Sequence, residues 1–518
     1  MLGIMVSEFN KRLLICLVLI IVGISSVAYS VSLLLFELTT LPEVIVGIVF
    51  VLLLVLNFFF TLIGSYYYIL SSGLKQIKPG APLKGFPAVA VLIPIRNEDE
   101  KIVYESAKSM QLLKYPKEKL RVFLVDNNDS PDAFIESTAK EFGFEYRYVQ
   151  NPAKFKSFAL NAVLPELTEE YFAIFDADEK LFDGNFLVET LPFLEENQKV
   201  AFVQTCKKYS EKSLFSNAIN SYYLYFYNHI QPLRDLTRTP MCCGSCAIFR
   251  ASIVKGLGGF RHTPTEDADF SFRADLAGFD GRYFHKLFAV GEPIDSLSSF
   301  MNQQFRYAYG ISKNTREFVL NFFRLSRTKR LHYLSQIFGY HFLSYPPLLF
   351  ALITMFFVLV NSDVFTFNFL PMLPVLYGTA FTQISAIGYF VVFMALIVFI
   401  SKIHYGSYKI GLTIMFLNFA TLIPRIKAIV LGTFEVGLTH AHTREIRPPT
   451  SLISVLLSSK YELLVFFAIA AVAVIAFSQG LVVALFWLAW YLVIFSSRVV
   501  FLYLVDLKKL NQAKTGIQ

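Results

Sequence analysis

The sequence predicts an α/β domain inserted between groups of membrane helices. Of its 518 residues, 55% are hydrophobic and only 17% are charged, and the mean hydropathy is +0.51. This composition excludes an ordinary soluble protein. The formal net charge of +8 fits the excess of lysine and arginine on cytoplasmic segments of membrane proteins, so we expect no nucleic-acid partner.

Six apolar runs are predicted to span the membrane, because a span needs about 20 largely apolar residues. Residues 13–36 and 44–70 form a first pair, with basic residues on its outer flanks and an acidic turn between the two runs. The positive-inside rule places both flanks in the cytoplasm and the turn outside. The four other spans are predicted at residues 343–360, 384–400, 463–477 and 481–504.

Two segments are predicted to lie on the membrane surface. From Thr315 the chain is basic and aromatic, which is typical of an interfacial helix that contacts membrane lipids. Residues 408–434 fit either a span or an interfacial segment, and we favour the second because Pro424, Arg425 and Lys427 lie inside it. We therefore expect a multi-pass protein of the plasma membrane. Its parts are predicted as an N-terminal helix pair (1–78), a cytosolic domain (79–315) and interfacial and membrane helices (316–518).

The central segment alternates apolar strands with helices. Strands are predicted at 88–94, 122–126 and 171–176, and helices at 100–113 and 131–142. This pattern indicates a parallel sheet covered on both faces, in which ligands bind beyond the carboxyl ends of the strands. The five cysteines include one Cys-x-x-Cys pair, Cys243 and Cys246, without a second pair. We therefore expect reduced thiols rather than a zinc site.

Charged residues follow two of these strands. Asp176 and Asp178 could hold Mg²⁺ or Mn²⁺ against a diphosphate, although an isolated Asp-x-Asp is also common in solvated loops. Asp126 could bind a ribose hydroxyl or a base edge. The neighbouring Asn127 could make the side-chain hydrogen bonds of the turn, which would leave the Asp126 carboxylate free. Lys156 could contact phosphate as a point charge, or could be an ordinary surface lysine.

A second acidic motif, Thr265-Glu266-Asp267, is predicted to open a helix. Thr265 is a plausible N-cap, and carboxylates at a helix start are stabilised there whatever their function. A carboxylate in this motif could also take the proton of an attacking hydroxyl group. Asp269, two residues further, is expected only to cap the helix.

A third motif places an amide, a guanidinium and an aromatic ring together. Gln303, Arg306 and Tyr307 should share one face of a helix. Arginine suits diphosphate oxygens by its fork geometry, and the ring could stack on a sugar, although a basic interfacial turn would also explain the pattern. Small residues at Gly244 and Ser245, before a strand at 246–249, could let an acceptor sugar approach the backbone.

Taken together, residues 91–310 resemble the membrane-embedded family 2 glycosyltransferases, which include the cellulose, hyaluronan and chitin synthases. Residues 91–98 resemble the opening strand of that family and the Asn-Glu pair that follows it, which is Asn97-Glu98 here. Residues 156–161 and 243–245 resemble its Lys-Ala-x-Ala-Leu-Asn and Cys-Gly-Ser segments. The order of these segments with Thr265-Glu266-Asp267 and Gln303-x-x-Arg306 is more specific than any one of them.

The resemblance implies a GT-A fold, a nucleotide-sugar donor (a UDP-sugar is expected), inversion at the anomeric carbon and a divalent cation, Mg²⁺ or Mn²⁺. It also implies a glycan or lipid-linked acceptor. Asp267, with Glu266 beside it, would be the catalytic base, and Asp178 with Asp176 would bind the metal. The other implied donor or acceptor contacts are Glu98, Asp126, Lys156, Gly244, Ser245, Gln303, Arg306 and Tyr307.

The sequence departs from the family pattern at two positions. Asn127 stands where the family has a second aspartate, and Tyr307 stands where it has tryptophan. Residues 434–439 match the gating loop of cellulose synthases only loosely. We therefore carry three hypotheses: a processive polysaccharide synthase that passes its product through its own membrane helices, a non-processive enzyme acting on a lipid-linked acceptor, and a transporter or receptor with an inactive nucleotide-binding domain. No motif indicates an oligomeric state.

Overall fold

The protein is described by a computed structural model, which covers residues 10–21, 23, 24, 27, 28, 31, 40–71, 74, 82–150, 155–360, 398, 401, 402, 405–436 and 449–507. The predicted span at 384–400 lies outside the described residues, apart from residue 398. Most of the gating-loop resemblance at 434–439 also lies outside them.

A mixed seven-stranded sheet forms the centre of the α/β domain. In space its order is β3-β2-β1-β4-β7-β6-β8, and β5 and β9 form a separate two-stranded sheet. The strands are β1 (Val89–Ile95), β2 (Leu120–Asp126), β3 (Glu145–Tyr148), β4 (Tyr171–Ile174), β5 (Glu179–Leu181), β6 (Val200–Cys206), β7 (Ala247–Arg250), β8 (Asp280–Leu287) and β9 (Ala289–Gly291).

The three strands predicted from their apolar runs, β1, β2 and β4, are parallel as expected. A wholly parallel sheet is wrong, however, because β7 runs antiparallel to both β4 and β6. Ala247 pairs with Ile174 at the carboxyl end of β4. The residues that precede β7 therefore lie at the edge of the sheet where the parallel strands end.

Both faces of the sheet are covered by helices, as the continuous apolar strands predict. In β1, Val89, Val91 and Ile93 pack into one apolar core, whereas Ala90 and Leu92 pack into a second core on the other face. This is the alternation expected of a strand. The helices of the domain are Glu100–Ser109, Ala133–Phe142, Lys156–Val163, Phe186–Glu195, Leu214–Tyr225, Gln231–Leu236, Ala251–Gly256 and Glu266–Leu276.

The helices outside this domain are more apolar. Within the described residues, three are long and apolar enough to cross a membrane: Leu41–Ser71, Lys460–Ser478 and Ala484–Leu507. Two bent pairs could raise the number to five. One pair bends by 46° within Arg327–Leu359, and the other bends by 51° between Tyr408–Ala420 and Leu422–Thr433. The predicted six spans are therefore not reached in the described part of the chain.

The bend in the second pair has a local cause. Thr421 separates the two helices, and Arg425 donates hydrogen bonds to the Asn418 side chain at 2.9 Å and to its backbone carbonyl at 2.6 Å. A guanidinium at a helix C-terminus satisfies carbonyls that have no partner within the helix. The remaining helices are Leu297–Lys313, Thr315–Asn321 and Leu452–Ser458.

Candidate active site

The candidate site lies where β2 and β4 end and where β7 begins. Asp126 is the last residue of β2, and Asp176 and Asp178 follow β4 in a turn. Gly244 and Ser245 precede β7, which brings them to the same edge because that strand is antiparallel. The sheet topology thus assembles residues from three separate stretches of sequence.

Asp176 is held by two lysines. Lys156 Nζ donates to Asp176 Oδ1 and also to the Gly244 carbonyl at 2.9 Å, and Lys207 Nζ lies 3.2 Å from Asp176 Oδ2. Burial alone would raise the pKa of Asp176, but Lys156 and Lys207 hold it below its usual range. Both oxygens of Asp176 are thus engaged by ammonium groups in this structure, and a metal-binding role for Asp176 stays a prediction.

Lys207 and Glu179 extend this ion-pair network and were not identified from the sequence. Glu179 Oε1 lies 3.0 Å from Lys207 Nζ, and Glu179 Oε2 accepts a hydrogen bond from the Asp176 backbone at 3.0 Å. Ser245 Oγ accepts from Lys207 and donates to Glu179 Oε1 at 2.8 Å. Ser245 is fully buried, so its side chain belongs to this network, and the approach of an acceptor sugar to the backbone here stays a prediction.

Asp178 has the opposite surroundings. Within the described residues its carboxylate has no hydrogen-bond or ion-pair partner, while its backbone carbonyl accepts from Glu292 N at 3.1 Å. Burial, followed by the negative charges of Asp176 and Glu179, raises the pKa of Asp178 to about 7. Glu98 contributes further negative charge to this position. An uncompensated carboxylate of this kind is suited to a cation.

The described residues alone do not supply a complete metal-binding cage. No group of three or more His, Cys, Asp or Glu side chains able to hold a metal ion occurs among the described residues. The five cysteines form no disulfide. A divalent cation at Asp178 would therefore need further ligands from a substrate or from water, which is the usual mode for Mg²⁺.

Asp126 is not free, contrary to the sequence argument. It is fully buried, and its carboxylate accepts hydrogen bonds from Asn128 N at 3.0 Å, Asp132 N at 2.8 Å and Tyr146 Oη at 2.7 Å. Asp126 therefore holds the turn that follows β2. Contact between Asp126 and a nucleotide stays a prediction.

The second acidic motif opens the helix Glu266–Leu276, as predicted, and brings Asp267 against Gly244. A Cβ atom at Gly244 would lie 2.9 Å from Asp267 Oδ2, and Gly244 adopts a φ of +75°. Only glycine tolerates both conditions without strain. The small residue thus gives room to the Asp267 carboxylate, and the approach of a sugar at Gly244 stays a prediction.

The two carboxyl groups of this motif both have raised pKa values. Burial and the neighbouring Asp267 carboxylate raise the pKa of Glu266. Burial also raises the pKa of Asp267, although a hydrogen bond at 2.7 Å from the Ala268 backbone lowers it in part. A base whose pKa is raised toward neutrality is a better proton acceptor than an ordinary carboxylate.

Two expectations for the flanking residues are wrong. Thr265 occupies the N-cap position, but its side chain makes no capping bond, because it packs against Gly310, where a Cβ would lie 2.1 Å from Thr265 Oγ1. Asp269 does more than cap the helix. It is buried and forms ion pairs with Arg273 at 2.8 Å and Arg261 at 3.2 Å.

The third motif lies on one helix, Leu297–Lys313, which we call the Gln303 helix. Gln303 Oε1 accepts from Tyr223 Oη at 2.6 Å, and Gln303 Nε2 lies 3.4 Å from Tyr209 Oη. Arg306 is exposed and has no partner among the described residues, and Tyr307 borders a cavity. The predicted shared face is therefore present, with its guanidinium open to a ligand.

A cavity of about 610 Å³ adjoins Asp267. Lys207, Tyr209 and Tyr307 line this cavity together with Asp267. Two apolar helices outside the α/β domain, Leu41–Leu70 and Arg327–Leu359, also line it; their lining residues are Phe60, Thr61, Ile63, Gly64, Tyr67, Ser335, Gln336, Gly339, Tyr340 and Leu343. The charged sheet edge and an aromatic cavity thus meet at one carboxylate.

Comparison with known proteins agrees with this geometry. Residues 171–402 match the model of Glycosyl transferase family group 2. The chain is 30% identical over 235 residues to the cellulose synthase catalytic subunit (UDP-forming) of Pseudomonas fluorescens (strain SBW25), covering 44% of this chain and 31% of that protein. It is 33% identical over 243 residues to a probable glucomannan 4-beta-mannosyltransferase 7 of Oryza sativa subsp. japonica, covering 43% and 40%.

Among solved structures, the fold is similar to that of the mannosyltransferase PcManGT from Pyrobaculum calidifontis, which was determined in complex with GDP-Man and Mn²⁺. The TM-score is 0.50 at 19% identity, and the alignment covers 77% of this chain and all of that one. This likeness supports the GT-A fold. The chain spans only about a third of the cellulose synthase subunit named above.

The family model and the curated relatives point to the same family that the motifs resemble. These comparisons support that resemblance: the chain is similar to family 2 glycosyltransferases of the cellulose synthase type.

Proposed function

We propose that the protein transfers a sugar from a nucleotide-sugar donor to a hydroxyl group of a growing glycan, with inversion at the anomeric carbon. One observation carries this proposal: Asp267 lies between the charged edge of the sheet and the aromatic cavity. The charged edge would take the donor and the cavity would take the acceptor. A UDP-sugar is the expected donor, in line with the UDP-forming relative.

On the donor side, Asp178 is the residue best suited to hold Mg²⁺ or Mn²⁺, since its carboxylate is uncompensated and has a pKa raised to about 7. A bound cation would neutralise charge on the donor diphosphate. The Mn²⁺ in the structurally similar mannosyltransferase supports a divalent cation in general. Lys156, which donates to Asp176 and to the Gly244 carbonyl, would contribute positive charge beside the same diphosphate.

On the acceptor side, Asp267 would remove the proton of the attacking hydroxyl group. The oxygen then forms a bond to the anomeric carbon on the face opposite the leaving group, and the bond to the nucleoside diphosphate breaks. Arg306, which is exposed and has no partner in the described residues, would bind the departing diphosphate. Tyr307, at the cavity, would contact the acceptor sugar.

The acceptor and the length of the product can be tested together. Purified protein in lipid is incubated with radiolabelled nucleotide sugars, and the products are separated by size. A long labelled polymer that forms with wild-type protein, and not with the Asp267→Asn variant, would support a polysaccharide synthase. Absence of transfer from every nucleotide sugar would contradict the proposed function.

A second candidate function, single transfer to a lipid-linked acceptor, is favoured by Arg234 at the cavity. This residue is 1% exposed. Its Nε donates to the Thr239 carbonyl at 2.7 Å and its Nη1 to Gln336 at 2.6 Å, whereas Nη2 has no hydrogen-bond partner within the described residues. A buried guanidinium beside membrane helices is suited to an acceptor phosphate. Extraction of a labelled product of one added sugar into organic solvent would favour this candidate.

The proposed arrangement in the membrane follows from the need of the donor site for cytosolic nucleotide sugars. The units would be a helix pair at 1–78, a cytosolic domain at 79–315 and further helices at 316–518, with both termini in the cytosol of a cell bounded by the plasma membrane. A cysteine probe at Thr39 should be labelled from outside the cell, and a probe at Lys75 should not. External labelling of a probe at Lys508 would show that residues 408–434 cross the membrane.

A further inference from the structure

The Gln303 helix is held at its start by a residue from the far end of the chain. Asp506 Oδ1 accepts a hydrogen bond from Leu297 N at 2.7 Å, and Asp506 Oδ2 accepts from Ser298 N at 3.0 Å and from Ser298 Oγ. Asp506 lies in Leu502–Leu507, which continues the membrane helix Val482–Phe501. We call these two segments together the terminal helix.

Asp506 complements the local cap rather than replacing it. The first backbone N–H groups of a helix lack partners within the helix. Ser296, the N-cap, accepts from Ser299 N at 3.1 Å, and Asp506 accepts from the two N–H groups that remain before it. The carboxylate is 4% exposed, and no lysine or arginine in the described chain pairs with it. Its negative charge therefore acts directly on the positive end of the helix.

A second contact fixes the same helix further along. At Gly432 a Cβ atom would lie 2.4 Å from the Tyr309 carbonyl, so the helix Leu422–Thr433 approaches the Gln303 helix as closely as two backbones allow. Gln303, Arg306 and Tyr307 lie between Asp506 and this close contact. Two elements outside the α/β domain therefore contribute to fixing the position of these three residues.

We propose that Asp506 is a positioning residue for glycosyl transfer: it fixes the Gln303 helix so that Arg306 and Gln303 meet the leaving diphosphate. This inference rests on the function proposed above. It also couples the terminal membrane helix to the reaction, since a movement of that helix would move the start of the Gln303 helix. Misplacement of a substrate-binding group by about 1 Å can reduce a rate by on the order of 100-fold.

The test uses Asp506→Asn in the full-length protein. Asparagine keeps one acceptor oxygen but turns an amino group toward a backbone N–H, so the helix start loses part of its support. We expect kcat/KM to fall by about 10-fold to 100-fold, together with weaker binding of UDP as the product. The matched control is Glu462→Gln, because Glu462 is also buried and pairs with Arg498 of the same terminal helix without touching the Gln303 helix.

A double-mutant comparison separates positioning from general destabilisation. If Asp506 acts through Arg306, then adding Arg306→Ala to Asp506→Asn should lower activity only slightly further. Added to Glu462→Gln, Arg306→Ala should lower activity by the same factor as in the wild type. Independent, multiplying losses in both backgrounds would overturn the inference. So would an Asp506→Asn variant no less active than Glu462→Gln.

The remaining outcomes are also informative. If Asp506→Asn does not fold, Ser298→Ala removes only one of the three hydrogen bonds to Asp506, and it should produce a smaller loss in the same direction. An unchanged kcat/KM for Ser298→Ala in that case would count against the proposal. Failure of the wild type to transfer any sugar would overturn the proposed function, whereas transfer by the wild type with an unaffected Asp506→Asn variant would overturn only this inference.

Discussion

Asp176 and Asp267 belong to one site but have opposite electrostatic surroundings. Asp176 lies between two lysines, which hold its pKa below its usual range against the effect of burial. Asp267 lies against the backbone of Gly244 without an ion pair among the described residues, and burial raises its pKa. The comparison separates carboxylates that fix the geometry of the site from carboxylates that are able to change their charge during a reaction.

The same contrast distinguishes the two halves of the Asp-x-Asp motif. Asp176 is neutralised by the protein, whereas Asp178 is left with the repulsion of Asp176 and Glu179. A group kept in an unfavourable charged environment is stabilised when a cation binds. We therefore expect the motif to combine an anchoring residue, Asp176, with a ligand-binding residue, Asp178.

The largest effect is expected at Asp178. Asp178→Asn removes the uncompensated charge and should abolish cation-dependent transfer while leaving the ion-pair network around Asp176 intact. EDTA should have the same effect on the wild type. The measurement is transfer of labelled sugar at saturating Mg²⁺ or Mn²⁺, with folding checked by thermal unfolding. Full activity of Asp178→Asn under these conditions would contradict the difference drawn between the two aspartates.

A large effect on stability is expected at Lys207. Lys207→Met leaves Asp176 and Glu179 with less positive charge in a largely buried network, and removal of one partner of a buried ion pair costs about 3–5 kcal/mol. Lys180→Met is a matched control, because Lys180 pairs with Glu105 and Glu292 but its side chain is 35% exposed, so its loss should cost less than about 1 kcal/mol. Denaturant unfolding in detergent measures both. Equal costs would show that the Asp176 network is not structural.

A small effect is expected at Glu266, next to the proposed base. Because burial and the Asp267 carboxylate raise the pKa of Glu266, this residue should be largely protonated near neutral pH, and Glu266→Gln resembles the protonated form. We therefore expect turnover to fall by less than about 10-fold, below the range typical for loss of a general base. A loss as large as that of Asp267→Asn would mean that Glu266 is the base instead.

The parts of the fold that were predicted correctly have local signals. The apolar runs of β1, β2 and β4 predict their parallel arrangement, and the Thr265-Glu266-Asp267 motif predicts the helix that it opens. The roles of Asp178 and Asp267 in the site stay predictions. Hydropathy predicts the length of an apolar segment but not whether the helix bends within it. It therefore could not predict the 51° bend before Leu422 or the number of helices that cross the membrane.

The parts that were missed depend on contacts between distant residues. Lys207 reaches Asp176 only because β6 and β4 flank β7. The polar partners of Asp126 include Tyr146 on the neighbouring strand, so its role in the turn could not be read from its own segment. Asp506 meets a helix that begins 209 residues earlier. Thr265 shows the reverse case, because tertiary packing against Gly310 overrides its preference for capping.

The central claim, that Asp267 is the base of a sugar transfer, is tested most directly by the pH dependence of turnover in the wild type and in Asp267→Asn. A protonated Asp267 cannot accept a proton, so wild-type activity should fall as pH decreases through a pKa above the ordinary aspartate value of about 3.9. In Asp267→Asn this decrease of activity at low pH should be absent. Turnover should be about 10²–10⁴-fold lower than in the wild type, and the affinity for UDP should be nearly unchanged. Weakened UDP binding together with retained turnover would make Asp267 a donor-site residue and would contradict the account.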